Sequence, residues 1–308
     1  MTGYLLRSLL VLAALLLWGC NLENRMMVRR MSSIARKAGA AVEEHWDYDL
    51  VGAAMPGNIL QLEGIHRLDP GHEETTLRLM RAYGAYAFGW VEDQAEEARR
   101  AGREEQAEAL DKRALALHRR AAHLGIALLE QRHKGAKEAF ERGGDTWRRW
   151  LRDALDERED VHLLLAFAQT WASIVNLSRD EPASIARFPA VKISVERAVE
   201  LDPAAEHATG PVLLGAMEAS SGSLGGGDLD KARAHFAKAL ALTRGEALMV
   251  RVQYARTYAV ARGDAKLYTQ TLQAVLGAKT QNPSLRLANT LAQRRARRYL
   301  SQRDELFP

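Results

Sequence analysis

Few side chains in this 308-residue chain are spaced for chemistry. Its nine histidines include no His-Glu-x-x-His pair of the kind that holds a catalytic zinc. His118 and His123 lie five positions apart, which on a helix turns them about 140° from one another and makes them poor joint ligands. "SGSLGGGDLD", residues 221–230, has the glycines of a phosphate-binding loop. It lacks the Gly-Lys-Ser/Thr that grips phosphate and follows a helical stretch instead of a strand, so it reads as a turn whose Asp228 caps the next helix. Glu92 and Asp93, and likewise Asp153, Asp156 and Glu157, sit among arginines at helical spacing. Solvated ion pairs account for them. The basic segment "RLANTLAQRRARRYL" is read the same way, as a solvated face that pairs with carboxylates elsewhere or touches an anionic surface. Together these features predict no catalytic centre, no metal site and no cofactor.

The aromatic residues form a sharper pattern. "LRLMRAYGAYAFGW", residues 77–90, places Tyr83, Tyr86, Phe88 and Trp90 within eight positions of a chain in which aromatics make up only 6% of residues. At 100° per residue, Leu79, Tyr83, Tyr86 and Trp90 share one face, whereas Ala82, Ala85 and Gly89 share the back. Small residues there let a neighbouring helix approach closely. A second candidate surface is "LLLAFAQTWASIVN", residues 163–176, in which Phe167 and Trp171 recur on a long helix. Two roles are open for such a stripe, helical core or the wall of an apolar space.

What positions these residues is helical almost throughout. Beyond residue 30 apolar side chains recur at spacings of three and four, as in Leu163, Ala166, Phe167, Thr170, Trp171 and Ile174, and alternating strand patterns are missing. The expected fold is all-α. Pro56, Asp69-Pro70, Gly143-Gly144, Glu181-Pro182, Asp202-Pro203, Gly225 to Asp228, Gly263-Asp264 and Asn282-Pro283 punctuate about a dozen helices, which short turns fold into stacked antiparallel hairpins. Some hairpins resemble one another. "GNILQLEGIHRLDP" and "VKISVERAVELDP" both end in Leu-Asp-Pro, with Leu62 and Ile65, then Val195 and Ala198, at matching offsets before the proline. "DLDKARAHFAKALAL" offers Ala232, Phe236 and Ala239, with Leu214-Gly215 as the expected contact. This resembles the second helix of a tetratricopeptide repeat in degenerate form, wrapped in additional helices.

Composition and the N-terminus narrow the setting. With 47% hydrophobic and 27% charged residues the chain can bury a real core, and a net charge of +4 is too mild to require a nucleic-acid partner. Arg7 precedes an apolar run from Leu9 to Trp18 that rises only about 15 Å as a helix, half the thickness of a bilayer core. That is the layout of a cleavable leader. Leu17-Trp18-Gly19-Cys20 resembles the lipobox of bacterial lipoproteins, with Trp18 larger than the pattern prefers. The expected organisation is a signal peptide over 1–19, a lipidated tether over 20–30 that begins at acylated Cys20, and one helical domain over 31–308. Cys20 is the only cysteine, so no intramolecular disulfide can form. Asn21 is not the Asp associated with inner-membrane retention, which favours the outer membrane.

The leader together with "AAMPGNILQLEGIHRLDPGHEETTLRLMRAYGAYAFGWVED", "SLGGGDLDKARAHFAKAL" and "NPSLRLANTLAQRRARRYLSQRDELF" resembles the TatT family, the T component associated with TRAP transporters. The resemblance implies a periplasmic, tetratricopeptide-like lipoprotein that works beside a tripartite ATP-independent transporter. Its implied partner is the periplasmic substrate-binding protein, and its implied ligand is a hydrophobic small molecule. On that basis Tyr83, Tyr86 and Trp90 are expected along an apolar passage, with Phe167 and Trp171 as the facing wall. A structural scaffold without a ligand is the alternative, and self-association into a homo-oligomer is open.

Overall fold

The computed structural model describes residues 2–220, 227–279 and 281–307, with side chains from residue 23 onward. Among them every element is helical and no strand occurs, as the periodicity predicts. Residues 221–226 of the glycine-rich turn lie outside the described residues, but its expected capping residue behaves as predicted. Asp228 accepts hydrogen bonds from the backbone of Asp230 and Lys231 and so starts its helix.

Helix α1 (Thr2–Glu43) runs through Cys20, whose side chain is outside the described ones. Its described part lies against α2 (Tyr48–Leu68), α3 (Glu73–Tyr86) and α15 (Arg286–Leu300). Val28 and Ser32 are buried there, and the Ser32 hydroxyl meets Thr75 Oγ1 at 2.6 Å. No helix among the described residues is long and apolar enough to cross a membrane.

The central body is built from α2, α3, α4 (Glu92–Arg100), α5 (Glu104–Arg132), α6 (Ala136–Arg142), α7 (Gly144–Ala154) and α8 (Asp160–Leu177). After the short α9 (Pro182–Ile185), α10 (Phe188–Leu201) and α11 (Ala205–Ser220) extend it. Then come α12 (Leu229–Leu242), α13 (Leu248–Gln253), α14 (Ala265–Gly277), α15 and the short α16 (Arg303–Leu306). A single large apolar core from Tyr48 to Ala205 fills the body, and Leu291 of α15 reaches into it. On its other side α15 contributes Ala292, Ala296 and Tyr299 to a second core with Leu248, Tyr268 and Leu272. This last long helix therefore joins two cores.

Most expected breaks fall where the turn residues put them: α2 stops at Leu68 before Asp69-Pro70, and α10 at Leu201 before Asp202-Pro203. The α11–α12 pair packs as its sequence suggests. A side chain added at Gly215 would come within 2.8 Å of the Phe236 ring, so the two helices need that glycine to meet. Pro56 is a correction. It lies inside α2 and does not end it. The position one turn earlier is Gly52, and the Trp90 indole sits directly against its Cα, so tertiary packing holds the helix together across the missing backbone donor.

Several departures from regular helix were not legible in advance, among them a π segment at Tyr254–Ala259 that follows α13. The rod made by α3 and α4 passes through a wide π turn at Ala87–Val91, in which the Glu92 N–H reaches back five residues to Ala87. At the start of α11, Glu206, His207 and Ala208 all adopt left-handed φ values of 48°, 55° and 62°. Each such residue costs about 1–2 kcal/mol relative to right-handed helix. The turn is held by Glu206, whose carboxylate accepts from Arg81 of α3 at 2.6 Å and meets His162 Nδ1 of α8 at 2.6 Å.

Candidate functional site

The aromatic stripe resolves into two different environments. Trp90 is 8% exposed and stacks on Tyr48 at 5.1 Å between ring centres, while its indole N–H donates to the Tyr48 carbonyl at 3.1 Å. Tyr86 also stacks with Trp90, at 6.3 Å, and its ring and hydroxyl are engaged by Arg113. These three rings form a filled layer between α2 and the π turn. Tyr83 points elsewhere: its hydroxyl donates at 2.9 Å to Glu63, which also takes a two-pronged grip from Arg120. Arg120 in turn holds the Glu63 carboxyl below its ordinary range, whereas burial and Glu63 push the Tyr83 hydroxyl up.

Phe167 and Trp171 belong to a separate aromatic box with Phe140 and Trp147. Phe140 sits 5.0–5.2 Å from Phe167, Trp147 and Trp171, mostly edge to face. Trp147 is fully buried and donates to Ser194 at 2.9 Å. Helix α8 does face α3, through Thr170 against the Gly84 flank, where an added Cβ would be 3.6 Å from the Thr170 hydroxyl. On the other side Phe167 and Met80 both close on Gly125 of α5. The structure thus brings Tyr86 and Trp90 together, and Phe167 and Trp171 together. Among the described residues no ring contact joins the two groups. The Trp171 Nε1 is buried without an acceptor.

The π turn exposes backbone groups that a regular helix would satisfy, and long side chains claim them. The Phe88 carbonyl accepts from Arg295 at 2.6 Å, and the Gly89 carbonyl accepts from the Tyr48 hydroxyl. One turn further, Asp93 is 1% exposed and receives Arg294 at 3.0 Å, Arg295 at 3.3 Å and Arg298 at 2.6 Å. Arg298 also bonds Glu96 at 2.5 Å, and the Tyr299 hydroxyl donates to the same carboxylate. Burial alone would raise the Asp93 carboxyl, but Arg298, Arg295 and Arg294 outweigh it and hold it below the usual carboxylate range. Burial and the Asp93 charge together push the Tyr48 hydroxyl well above its ordinary value.

This cluster corrects the reading of Asp93 and of the terminal arginines as solvated. The expected pairing is present, but Arg295 and Arg298 are 3% and 5% exposed. The reason is helical phase: Arg295 and Arg298 stand four and seven positions after Leu291, on the face that carries the apolar contacts. That spacing was the available signal. Nothing in the local sequence marks Tyr48 or the π turn as their partners.

The other candidates are simpler. His118 is 2% exposed and its Nε2 meets Glu92 at 2.7 Å, whereas His123 is exposed, so the two do not converge. Among the described residues no group of three or more His, Cys, Asp or Glu is gathered as a metal ion requires. Among the described residues, two open surface clefts are lined mainly by charged groups. A cleft of about 440 Å³ lies between Arg25 and Arg29 of α1 and the turn from Asp69 to Glu74. Another of about 430 Å³ lies between the ends of α4 and α15. Neither touches Tyr83, Tyr86, Trp90, Phe167 or Trp171.

Comparison with curated proteins gives no match. A family model described as TRAP transporter T-component matches residues 44–307, which begins just after α1 and takes in both aromatic groups and the buried arginine cluster. A match over that length, on an all-helical chain, settles the relationship: the protein belongs to the TRAP transporter T-component family.

Proposed function

We propose that the chain carries out its family's accessory role in TRAP transport by docking on the periplasmic substrate-binding protein through the outer face of α2. The observation that carries this reading is a strip of exposed, mostly small or apolar residues along one side of that helix. Leu50, Ala54, Gly57, Gly64 and Leu68 fall within about 80° of one another, flanked by Leu60, and all are exposed. Leu60 is 72% exposed, Leu50 56%, and the preceding Trp46 71%. A Cβ built on Gly57 or Gly64 meets nothing within 4 Å, so these glycines do not serve packing inside the chain. A long, largely apolar face of this kind, interrupted by the exposed Gln61, suits a protein partner. The purified cognate substrate-binding protein is expected to form a reversible complex in sedimentation and calorimetry, which Leu60→Arg abolishes. Self-association that Leu60→Arg disrupts, with no complex formed, would instead assign the face to a homo-oligomer.

In this reading Cys20 carries the lipid after removal of residues 1–19, residues 20–30 lead to the body, and the protein faces the periplasm from the outer membrane. Acyl chains contribute about 0.8 kcal/mol per buried CH₂, enough for anchoring without a spanning helix. Cys20→Ser should abolish lipid attachment. Wild-type protein without lipid by mass spectrometry would remove the anchor from the proposal.

A second reading, that Tyr83, Tyr86, Trp90, Phe167 and Trp171 handle a hydrophobic small molecule, draws on the unsatisfied Trp171 N–H and on the π turn inside the stripe. Both features are commoner at working sites than in plain core. Retention of an apolar fluorescent probe by wild type, and its loss in Trp171→Phe and Trp90→Ala, is the expected result. A Trp90→Ala destabilisation of about 3–5 kcal/mol with unchanged probe binding would leave the scaffold alternative.

A further inference from the structure

The cleft between the ends of α4 and α15 is lined by Glu97, Arg100, Ala101, Arg294, Arg297 and Arg298. Four guanidinium groups there face one carboxylate. Adding the layer beneath, Arg295 with Asp93 and Glu96, gives five arginines against three carboxylates, and each carboxylate is already engaged. Asp93 accepts from three arginines, Glu96 from Arg298 and Tyr299, and Glu97 from Arg294 at 2.7 Å. Arg100 and Arg297 are exposed and have no ion pair. The C-terminal ends of α4 and α15 carry about half a negative charge each, which offsets part of the excess and leaves about one positive charge unmatched. These helix ends do not supply the missing acceptors. The Ala98, Arg99 and Glu97 carbonyls are taken by the N–H groups of Ala101, Gly102 and Arg103.

Arg298 adds an independent sign of an incomplete site. It is 5% exposed, yet its Nε and Nη1 have no hydrogen-bond acceptor, and Nη1 stands 3.7 Å from Glu97. A buried guanidinium normally fills its donors, because leaving them empty forfeits their hydration without replacement. An anion held in the cleft above would offset the charge of this under-satisfied guanidinium without touching it. We propose that the cleft binds a small oxyanion, a phosphate or a carboxylate group, with Arg100, Arg294 and Arg297 as its direct donors and Arg298 as the charged floor. Guanidinium forks match both oxyanions two bonds at a time, which lysines in the same places could not do. The inference rests on this geometry alone and is independent of docking through α2.

The test is a titration of the purified chain with inorganic phosphate and, separately, with citrate, each against sodium chloride at equal ionic strength. Calorimetry and thermal melting are the readouts. Saturable binding of one or both anions is expected, and the two arms tell phosphate from carboxylate preference. Arg100→Gln with Arg297→Gln should weaken it at least about tenfold, since hydrogen bonds to charged groups are removed. Both residues are exposed and unpaired, so far-UV circular dichroism should be unchanged; if it is not, Arg297→Gln alone is read by the same titration. Binding of equal strength in wild type and variant, or a chloride response equal to that of phosphate and citrate, would overturn the proposal.

Discussion

The Tyr48–Tyr86–Trp90 layer and the Asp93–arginine cluster are built on neighbouring residues of one helical rod, Tyr86 and Trp90 for the first and Asp93 for the second, and they reverse what their side chains suggest. The aromatic rings, which suggest the lining of a space, stack so closely that the neighbouring helix needs a glycine at position 52. Two of the arginines, Arg295 and Arg298, which suggest a wet surface, lie buried around the Asp93 carboxylate and the Phe88 carbonyl of a π turn. Residue type set the chemistry available to each region, but the phase of the helices decided which region meets water. The layer is held by dispersion and shape, and the cluster by paired charges that would be costly apart.

The largest effect should come from the charged side of this contrast. Asp93→Ala leaves three arginines facing each other with little solvent, and a loss of about 3–5 kcal/mol is expected in urea denaturation. A loss under 1 kcal/mol would mean that the cluster is hydrated and that the contrast fails. On the aromatic side, Gly52→Ala forces a methyl group into the Trp90 ring and should cost about 1–3 kcal/mol by the same measurement. An unchanged midpoint would show that Trp90 can move and that room exists beside it.

Acid should separate the regions further. The Asp93 carboxyl sits below its unfolded value of about 3.9, so its contribution is complete above that value and is lost as pH falls through the lower folded value. Wild type should therefore lose stability below about pH 4 more steeply than Asp93→Asn, in parallel urea titrations, whereas the ring layer adds no slope. The smallest effect is expected at the edge of the stripe. Tyr83→Phe removes a half-exposed hydrogen bond to Glu63, while the Arg120 grip on that carboxylate persists, and should cost less than about 1 kcal/mol.

The helices and most of their ends were legible because their causes are local: Asp69-Pro70, Asp202-Pro203 and Asp228 act on the backbone next to them. The Gly215–Phe236 contact was legible because small and aromatic residues recur at fixed offsets. Pro56 was not, since what holds α2 together there is an indole contributed from 34 positions further along. The left-handed turn at Glu206–Ala208 contains no glycine to announce it, and partners on α3 and α8 hold it in place. The burial of Arg295 and Arg298 was half legible: their spacing from Leu291 marks the face, but a buried carboxylate 205 positions away from Arg298 leaves no trace beside them.

That last pairing sets a schedule for biosynthesis. Asp93 emerges about 200 residues before Arg298, from the ribosome or from an export channel, and where emergence keeps pace with synthesis at roughly 5–20 residues per second the interval is about 10–40 s. During that time α4 can form, but its central carboxylate has no counter-charge and must stay hydrated. The large core between α2 and α8 therefore remains open at the site of the π turn until α15 arrives. A nascent chain arrested before residue 286 should expose Trp90 to quenchers and be cut readily near Glu92, and completion of the final helix should close both at once.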